Sequence, residues 1–580
     1  MTRIIKRRKN DNENSFPEEF HPVLKRVLSA RNITSVEQLD YSLSNLLPFA
    51  TLGGIEAAAG LLADCMEADG RLLIVADYDA DGATACALAV RVLTTMGAAD
   101  VQYMVPDRFT QGYGLSTDVV AAALPLSPDI IITVDNGISS IDGVELAREN
   151  GVEVIITDHH LPGKALPDAS VIVNPNLAGD KFPSKHIAGV GVMFYVLAAL
   201  RAELRQRQWF EQKGIKEPNL ASFLDLVALG TVADVVPLDY NNRIMVANGL
   251  SLIRSGKCTA GIRALCRVAN RSFDKIVAGD LGFFIGPRLN AAGRLTDMRL
   301  GIECLISDSE DKTIAMATQL DALNKQRKEI QNDMHDEALM EIAQFENIDP
   351  DNVPYGVCLY KENWHQGVVG ILASKIKEKL HRPVIAFAAD EEGTLKGSAR
   401  SISGVHIRDV IEHIATENPG LIVKYGGHAM AAGLTLDKHC FNSFTELFNE
   451  EVRKVITANG LVNELLTDGE LEPEHFNLEL AEALRNFGPW GQGHPEPLFD
   501  NQFEIVNSRI VGEKHLKLQL QVPGHDKMIE GIAFNITNEG WPDETDQVKT
   551  AYRIDVNEYR GTKELQLIID YIEPVYAKPD

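Results

Sequence analysis

From Arg71 onward the chain repeats one pattern: a short apolar run rich in Val and Ile, an acidic or glycine-containing loop, then an Ala- and Leu-rich stretch at helical period. The runs at 72–76, 130–134, 154–157 and 171–173 are too short for buried helices and carry no polar alternation. They predict the strands of an α/β domain, a doubly wound parallel sheet covered by helices on both faces. Between residues 311 and 345, Met316, Leu320, Leu323, Ile330, Met334, Leu339 and Ile342 recur among charged residues with no Gly or Pro, predicting a long connecting helix. A second α/β unit follows, with a strand at 355–360, a helix at 367–380 and a strand at 383–388. After about residue 460 the period shortens to two, as in HLKLQLQV (515–522) and ELQLIIDYI (564–572), which predicts a C-terminal β-barrel of OB-fold type. The expected division is an N-terminal arm at 1–45, the first α/β domain at 46–305, the connecting helix at 306–350, the second α/β domain at 351–458 and the barrel at 459–580.

A chain of 580 residues is too long for a single core, and 45% hydrophobic with 24% charged residues is ordinary globular composition, which excludes a disordered chain. No apolar run is long enough to span a bilayer, and the basic start lacks the apolar stretch of a secretory signal. Cys65, Cys86, Cys258, Cys266, Cys304, Cys358 and Cys440 are scattered singly with no CxxC pair. That usage suits reduced core thiols, and a cytoplasmic location is expected. The formal net charge of −26 opposes phosphate binding at first sight. Net charge governs solubility and steering rather than what one groove presents, and carboxylates gathered for cations also add to it. The total therefore neither supports nor excludes a nucleic-acid substrate.

DYDADG (77–82) comes straight off the run RLLIVA. Three carboxylates within five residues repel one another unless cations sit among them. An EF-hand loop begins alike but needs Glu at its twelfth position, where this chain has Leu88, and a preceding helix where this chain has a strand run. Asp135-Asn136-Gly137 closes the run IIITV, Asp158-His159-His160 closes VEVIIT, and Asp234 lies in ALGTVADVVPL. In a doubly wound sheet such loops converge on one crevice. Carboxylate plus imidazole without thiolate suits Mn²⁺ or Mg²⁺ rather than a structural zinc. Each motif alone has an ordinary reading, a helix cap for a strand-end Asp or a surface pair for two His. Four in order, each beside a predicted element, outweigh it.

DYDADG, VDNG, DHH and GTVAD in this order resemble the four signature motifs of the DHH phosphoesterase family. The resemblance implies two Mn²⁺ or Mg²⁺ ions. Asp81, Asp135, His159 and Asp234 would hold one, and Asp79 and Asp135, with Asp77, the second, Asp135 bridging. His160 would contact the phosphate or assist the leaving group, so Asp135, His160 and His428 carry the implied chemistry. Family members that cleave pyrophosphate have a His about where this chain has Val75. GSARS (397–401) and GGHAMAAG (426–433) resemble the DHHA1 domain that accompanies the DHH domain.

PDRFTQGYGLS (106–116), GPRLNAAGR (286–294), WHQGVVGILASK (364–375) and GPWGQGHPEPLF (488–499) extend the likeness to the family's single-strand-specific 5′→3′ exonucleases over almost the whole chain. That likeness implies that Arg108, Ser398 and Arg400 grip a 5′-terminal phosphate, and that Arg288, Asn290, Arg294 and His428 contact DNA or the scissile phosphate. Tyr113 and Trp364 are candidate base stackers, although burial in a core is the commoner fate of an aromatic. For the arginines the ordinary reading is a salt bridge. Single-stranded DNA as substrate, single-strand-binding protein and a RecQ-type helicase as partners, work in DNA recombination and repair, no membrane and a monomeric state are implied in the same way. Two alternatives stay open: a DHH hydrolase of short oligonucleotides or cyclic dinucleotides, and a non-catalytic replication scaffold.

Overall fold

The structure is a computed structural model that describes residues 3–9, 16–108, 111–346, 353–390, 393–460, 463–512, 514–534, 536, 547–559 and 561–575. The chain forms two compact units, one of Ile5–Gly293, Asp297–Asp321 and Leu466–Asp580, the other of Met1–Ile4, Arg294–Thr296 and Ala322–Leu465. Among the described residues no single helix is long and apolar enough to cross a membrane.

The first unit holds helix α1 (Pro22–Ser29) and a five-stranded parallel sheet of β1 (Arg71–Ala76), β2 (Asp100–Met104), β3 (Ile130–Val134), β4 (Glu153–Thr157) and β5 (Val171–Val173). The strand order is β2-β1-β3-β4-β5. Leu72–Ala76 and all of β3 are buried, as expected for strands covered on both faces. The edge strand β2, DVQYM, is half-buried throughout and has too little apolar density to stand out in the sequence. Helices α2 (Ala80–Thr95), α3 (Gly189–Gln206), α4 (Leu224–Ala233) and α5 (Tyr240–Arg254) follow, then α6 (Gly286–Leu295), which continues a π-helical turn at Leu281–Ile285. The predicted long helix is α7 (Glu310–Glu346).

In the second unit, β6 (Val357–Tyr360), α8 (Val369–Leu380), β7 (Val384–Ala389), β8 (Thr394–Arg400), β9 (Lys424–Gly427) and β10 (Ala431–Asp437) form a mixed sheet ordered β9-β10-β8-β7-β6. Only β6 and β7 run parallel; the other pairs are antiparallel. Phe387, Phe444 and Phe448 fill its core.

The barrel belongs to the first unit. It comprises helix α9 (Leu478–Phe487) and β11 (Phe499–Val511), β12 (His515–Gln521), β13 (Met528–Ala533), β14 (Gln547–Tyr559) and β15 (Thr562–Pro574), closed in the order β11-β12-β13-β15-β14. Leu516, Leu518 and Leu520 point inward from β12, the period of two that its sequence carries. The N-terminal arm is not a separate polar segment: Val23, Leu24 and Val27 of α1 pack in the barrel core beside Phe476, Phe499 and Tyr552. A charged-looking sequence hides this because α1 presents one narrow apolar stripe among Lys25, Arg26 and their neighbours. Just beyond it, the buried Arg31 makes a two-pronged pair with Asp468, Nη1 to Oδ1 at 2.8 Å and Nη2 to Oδ2 at 3.0 Å.

Arg31→Ala strands a buried carboxylate, and its expected cost is about 3–5 kcal/mol. A fall in the urea midpoint of the intact chain reads it, and an unchanged midpoint contradicts the account.

Candidate metal centre

Strands β1, β3 and β4 lie side by side and run the same way, so their C-terminal ends present three loops to one place. Asp77 follows β1, Asp135 follows β3, and Asp158-His159-His160 follows β4. Asp234 arrives from elsewhere in the chain, as the residue that ends α4. Ligand atoms of Asp81, His159 and Asp234 all lie within 4.8 Å of one another, as do those of Asp77, Asp79 and Asp135, and those of Asp135, His159 and His160. The His159 Nε2 sits 3.0 Å from Asp135 Oδ1 and 3.5 Å from Asp234 Oδ2, joining the groups into one cluster.

Backbone geometry sets each carboxylate. Asp79 caps α2, its Oδ1 accepting the N–H groups of Asp81 at 2.9 Å and Gly82 at 3.0 Å. The helix-cap reading and the ligand reading are thus both true of Asp79, whose second oxygen is left for a cation. Asp81 receives the first N–H groups of α3, Gly189 at 2.7 Å and Val190 at 2.9 Å, so a helix N-terminus faces its negative charge. Residue 189 must be glycine, because a Cβ there would lie 2.6 Å from the Cβ of Asp135. Asp135 itself adopts φ of +63°, a conformation rare outside glycine that costs on the order of 1–3 kcal/mol. The neighbouring Asn136 holds that turn, donating to the carbonyls of Val75 at 3.1 Å and Val134 at 2.9 Å.

Asp158 is fully buried and works as a frame. Its Oδ1 accepts the backbone N–H groups of His159 and His160 at 2.7 and 3.0 Å and lies 2.7 Å from His160 Nδ1, while Oδ2 accepts Ile138 N–H at 3.0 Å. Burial alone would push Asp158 up and His160 down; their mutual hydrogen bond and charges instead hold the carboxyl low and carry the imidazole up to about 9. Asn174 and Asn176 donate to the carbonyls of His160 and His159 and complete the support. Sequence reading did not single out this Asn-Pro-Asn segment; its signal was two side-chain amides flanking a proline just past a strand end.

Burial first, then the neighbouring carboxylates, push Asp77, Asp135 and Asp234 well above the ordinary carboxylate range, and Asp81 up to about 7. Asp135 Oδ1 is buried and takes no hydrogen bond. Oxygen donors plus one imidazole, packed so that they repel, fit two hard divalent cations, which reverse the sign of the local field.

The other expected site residues divide. Tyr113 is 48% exposed, yet its hydroxyl donates to the Asp135 carbonyl at 3.1 Å, so the ring lies beside the cluster with a face toward solvent. Arg108 lies 4.6 Å above the ring of Tyr78, within the DYDADG loop. Asn290 accepts the Ala80 N–H at 2.8 Å and so anchors the first turn of α2. Gly293, on the same helix, allows that close approach, since a Cβ there would meet the Tyr78 carbonyl oxygen at 1.8 Å. Arg288 is engaged in a salt bridge to Asp321 at 2.7 Å, the ordinary role for an arginine.

The remaining ones belong to the second unit. Arg294 donates to the Gly367 carbonyl at 3.0 Å. Trp364 is not a stacker: it is 3% exposed and its indole N–H donates to Glu337 at 2.8 Å. Ser398 and Arg400 share the half-buried face of β8 beside the first turn of α8, where a Cβ on Gly370 would come within 2.9 Å of an Arg400 nitrogen. His428 sits between β9 and β10.

Three family models match the chain: DHH family, N-terminal domain, over residues 71–231; DHHA1 domain over 352–454; and RecJ OB domain over 467–571. The single-stranded-DNA-specific exonuclease RecJ of Escherichia coli is 50% identical over 572 residues, 98% of this chain and 99% of its own. Its counterpart of the same name in Haemophilus influenzae is 48% identical over 578 residues, 99% of this chain and 100% of its own. Among solved structures, RecJ from Thermus thermophilus in complex with Mn²⁺ superposes with a TM-score of 0.81 at 29% identity, covering 99% of this chain and 80% of that one. The Mg²⁺ complex gives 0.75 at 27% identity, covering 99% and 78%.

Without cations, folded Asp81 keeps its proton up to about pH 7, whereas its ordinary value is 3.8. The folded state holds the extra proton between those values, so this group's contribution is full below the lower one and lost as pH rises through the upper. The rise in Tm on adding Mn²⁺ to EDTA-treated protein is therefore expected to be larger at pH 8 than at pH 6. At one hundred times its Kd the ion adds about 2.7 kcal/mol. Asp135→Asn should raise the metal-free Tm by removing one repelling charge and shrink the Mn²⁺ response; a lowered metal-free Tm contradicts the repulsion argument.

Proposed function

This chain belongs to the RecJ family of single-stranded-DNA-specific exonucleases, and from that premise we propose that it hydrolyses single-stranded DNA from the 5′ end, releasing 5′-mononucleotides. The observation that carries the reading is the complete donor set around Asp135: Asp81, His159 and Asp234 on one side, Asp77 and Asp79 on the other. A non-catalytic scaffold has no need to keep six repelling or strained ligands intact. The barrel and the 37-residue helix favour a polymer over a dinucleotide substrate.

Two bound divalent ions would lower the pKa of a water between them and stabilise charge on the leaving oxygen. The chain's own residues do the rest. Asp135 holds its carboxylate between the two donor groups because its strained backbone turn is clamped by Asn136. Asp158 orients the DHH loop and fixes the His160 ring through Nδ1, so that it would contact a phosphate oxygen or give a proton to the leaving group. The Tyr113 ring, half open to solvent beside the cluster, offers a stacking face to a terminal base. Ser398 and Arg400 bind the 5′-terminal phosphate, a role suited to a bidentate guanidinium. Asn290 steadies the metal loop by accepting the Ala80 N–H.

The setting we propose is DNA recombination and repair in the cytoplasm, as a monomer working with single-strand-binding protein and a RecQ-type helicase. Seven free cysteines, five of them buried, support a reducing compartment.

The test uses 5′-phosphorylated single-stranded DNA labelled separately at each end, with Mn²⁺, Mg²⁺ or EDTA. Early release of the 5′ label, dependent on metal and reduced about a hundredfold or more by Asp81→Ala, is expected. Early release of the 3′ label, or equal digestion of blunt duplex, refutes the reading. Arg400→Ala removes a charge-assisted contact of about 1.5–3 kcal/mol, so a loss of roughly 10–100-fold is expected on 5′-phosphorylated DNA and little on 5′-hydroxyl DNA.

A further inference from the structure

Asp234 differs from the other ligands in having no β-strand behind it. It ends α4, and the next residue, Val235, has φ of +63°. A β-branched residue in that region is strained and persists only where its surroundings hold it. The short link from there to α5 is gripped at successive peptides. The Pro237 carbonyl accepts Asn242 Nδ2 at 2.9 Å, and the Leu238 carbonyl accepts Arg243 Nη1 at 2.9 Å. The Leu238 N–H donates at 2.7 Å to the carbonyl of Gln492, far along the chain in the segment that leads into the barrel.

That segment, GPWGQGHPEP, is itself rigidly built. Gly491 and His494 exchange backbone hydrogen bonds of 2.9 and 3.1 Å, which pinches the turn and turns the Gln492 carbonyl outward. The His494 ring, 2% exposed, stacks on Trp490 at 4.9 Å. Arg31 lies 5.3 Å over Trp490 and donates to the Pro495 carbonyl at 2.7 Å, so the brace is tied to the buried Arg31–Asp468 pair. Two of its glycines are closely approached by the link: a Cβ on Gly493, at φ of +68°, would lie 3.1 Å from the Pro237 Cβ, and one on Gly491 would lie 2.7 Å from Leu238 Cδ1, pushing that side chain aside.

We propose that this segment is a positioning element for Asp234: the Gln492 carbonyl, fixed by the Trp490–His494 stack, holds the strained turn that presents the carboxylate to Asp81 and His159. The proposal rests on the metal-dependent reading above. It makes one cation selectively sensitive to the barrel's leader segment. The cation shared by Asp81, His159 and Asp234 depends on the brace, and the one held by Asp77 and Asp79 does not.

Mn²⁺ titration of the full chain, followed by electron paramagnetic resonance of the free ion and by thermal melting, tests this with Gly493→Ala and Gly491→Ala. Asp234→Asn serves as reference. Gly524→Ala is the control, since Gly524 also has positive φ, 77°, but a Cβ there meets nothing within 4 Å. Gly493→Ala is expected to weaken one of two Mn²⁺ ions about tenfold or more and leave the other, as a milder form of the Asp234→Asn pattern. Gly491→Ala should act in the same direction and carries the test if circular dichroism in EDTA finds Gly493→Ala unfolded. Gly524→Ala should bind like wild type. Unchanged binding of both ions in the folded glycine variants overturns the proposal, and so does equal weakening of both ions. Failure of wild type to bind Mn²⁺ at all counts instead against the metal-dependent reading.

Discussion

Like charges gathered at the ends of β1, β3 and β4, joined by Asp234 from the end of α4, are the constraint around which the first unit is arranged. Burial first, then neighbouring carboxylates with Asp79 acting on every one, push Asp77, Asp81, Asp135 and Asp234 above the ordinary carboxylate range. A chain would not gather them without a counter-charge, and the helix N-terminus aimed at Asp81 supplies only a small part of it. Folding energy from the surrounding apolar sheet and helices keeps the carboxylates in place until cations take over the balance. The acidic total of the chain is partly this arrangement seen from the outside.

Holding such a cluster requires backbone that departs from regular structure at chosen points. Asp135 and Val235 both adopt positive φ, one clamped by Asn136 and the other by Asn242, Arg243 and Gln492. Glycines at 189 and 293 let helices approach to distances no side chain permits. The strain is local and the support is spread widely, so residues far apart in sequence, from Arg31 to His494, bear on one ligand.

Much of this was legible beforehand. The apolar runs placed β1, β3, β4 and β5 within a residue, the unbroken charged-and-apolar stretch placed α7, and the period of two placed β12 and β15. The acidic and His groups that could hold a metal were legible as a cluster because metal chemistry calls for particular residue types at strand ends, and the structure brings them together. Other roles were misread for a single reason, which is that a side chain's type does not reveal what it packs against. Trp364 offers an aromatic face on paper and is closed in a core by Glu337 and its neighbours. Asn290 was read as touching the substrate, and the structure adds a role its type does not announce, holding the Ala80 N–H through Oδ1. Helix α1 was read as part of a polar arm, although its apolar stripe of Val23, Leu24 and Val27 is core to the barrel.

By itself the sequence determined the strand and helix periods, the identity of the donors and the order in which they occur, because these depend on local stereochemistry and on residue type alone. Tertiary structure decided which carboxylate oxygens accept a backbone N–H: one on Asp79, both on Asp81, and not the buried Oδ1 of Asp135. It also decided that Asp158 frames the site rather than binding in it, and that Gln492 braces the turn after Asp234. Those outcomes depend on peptide groups brought together across tens to hundreds of residues, and a peptide N–H or C=O is the same in every residue but proline, so no side-chain pattern can announce it.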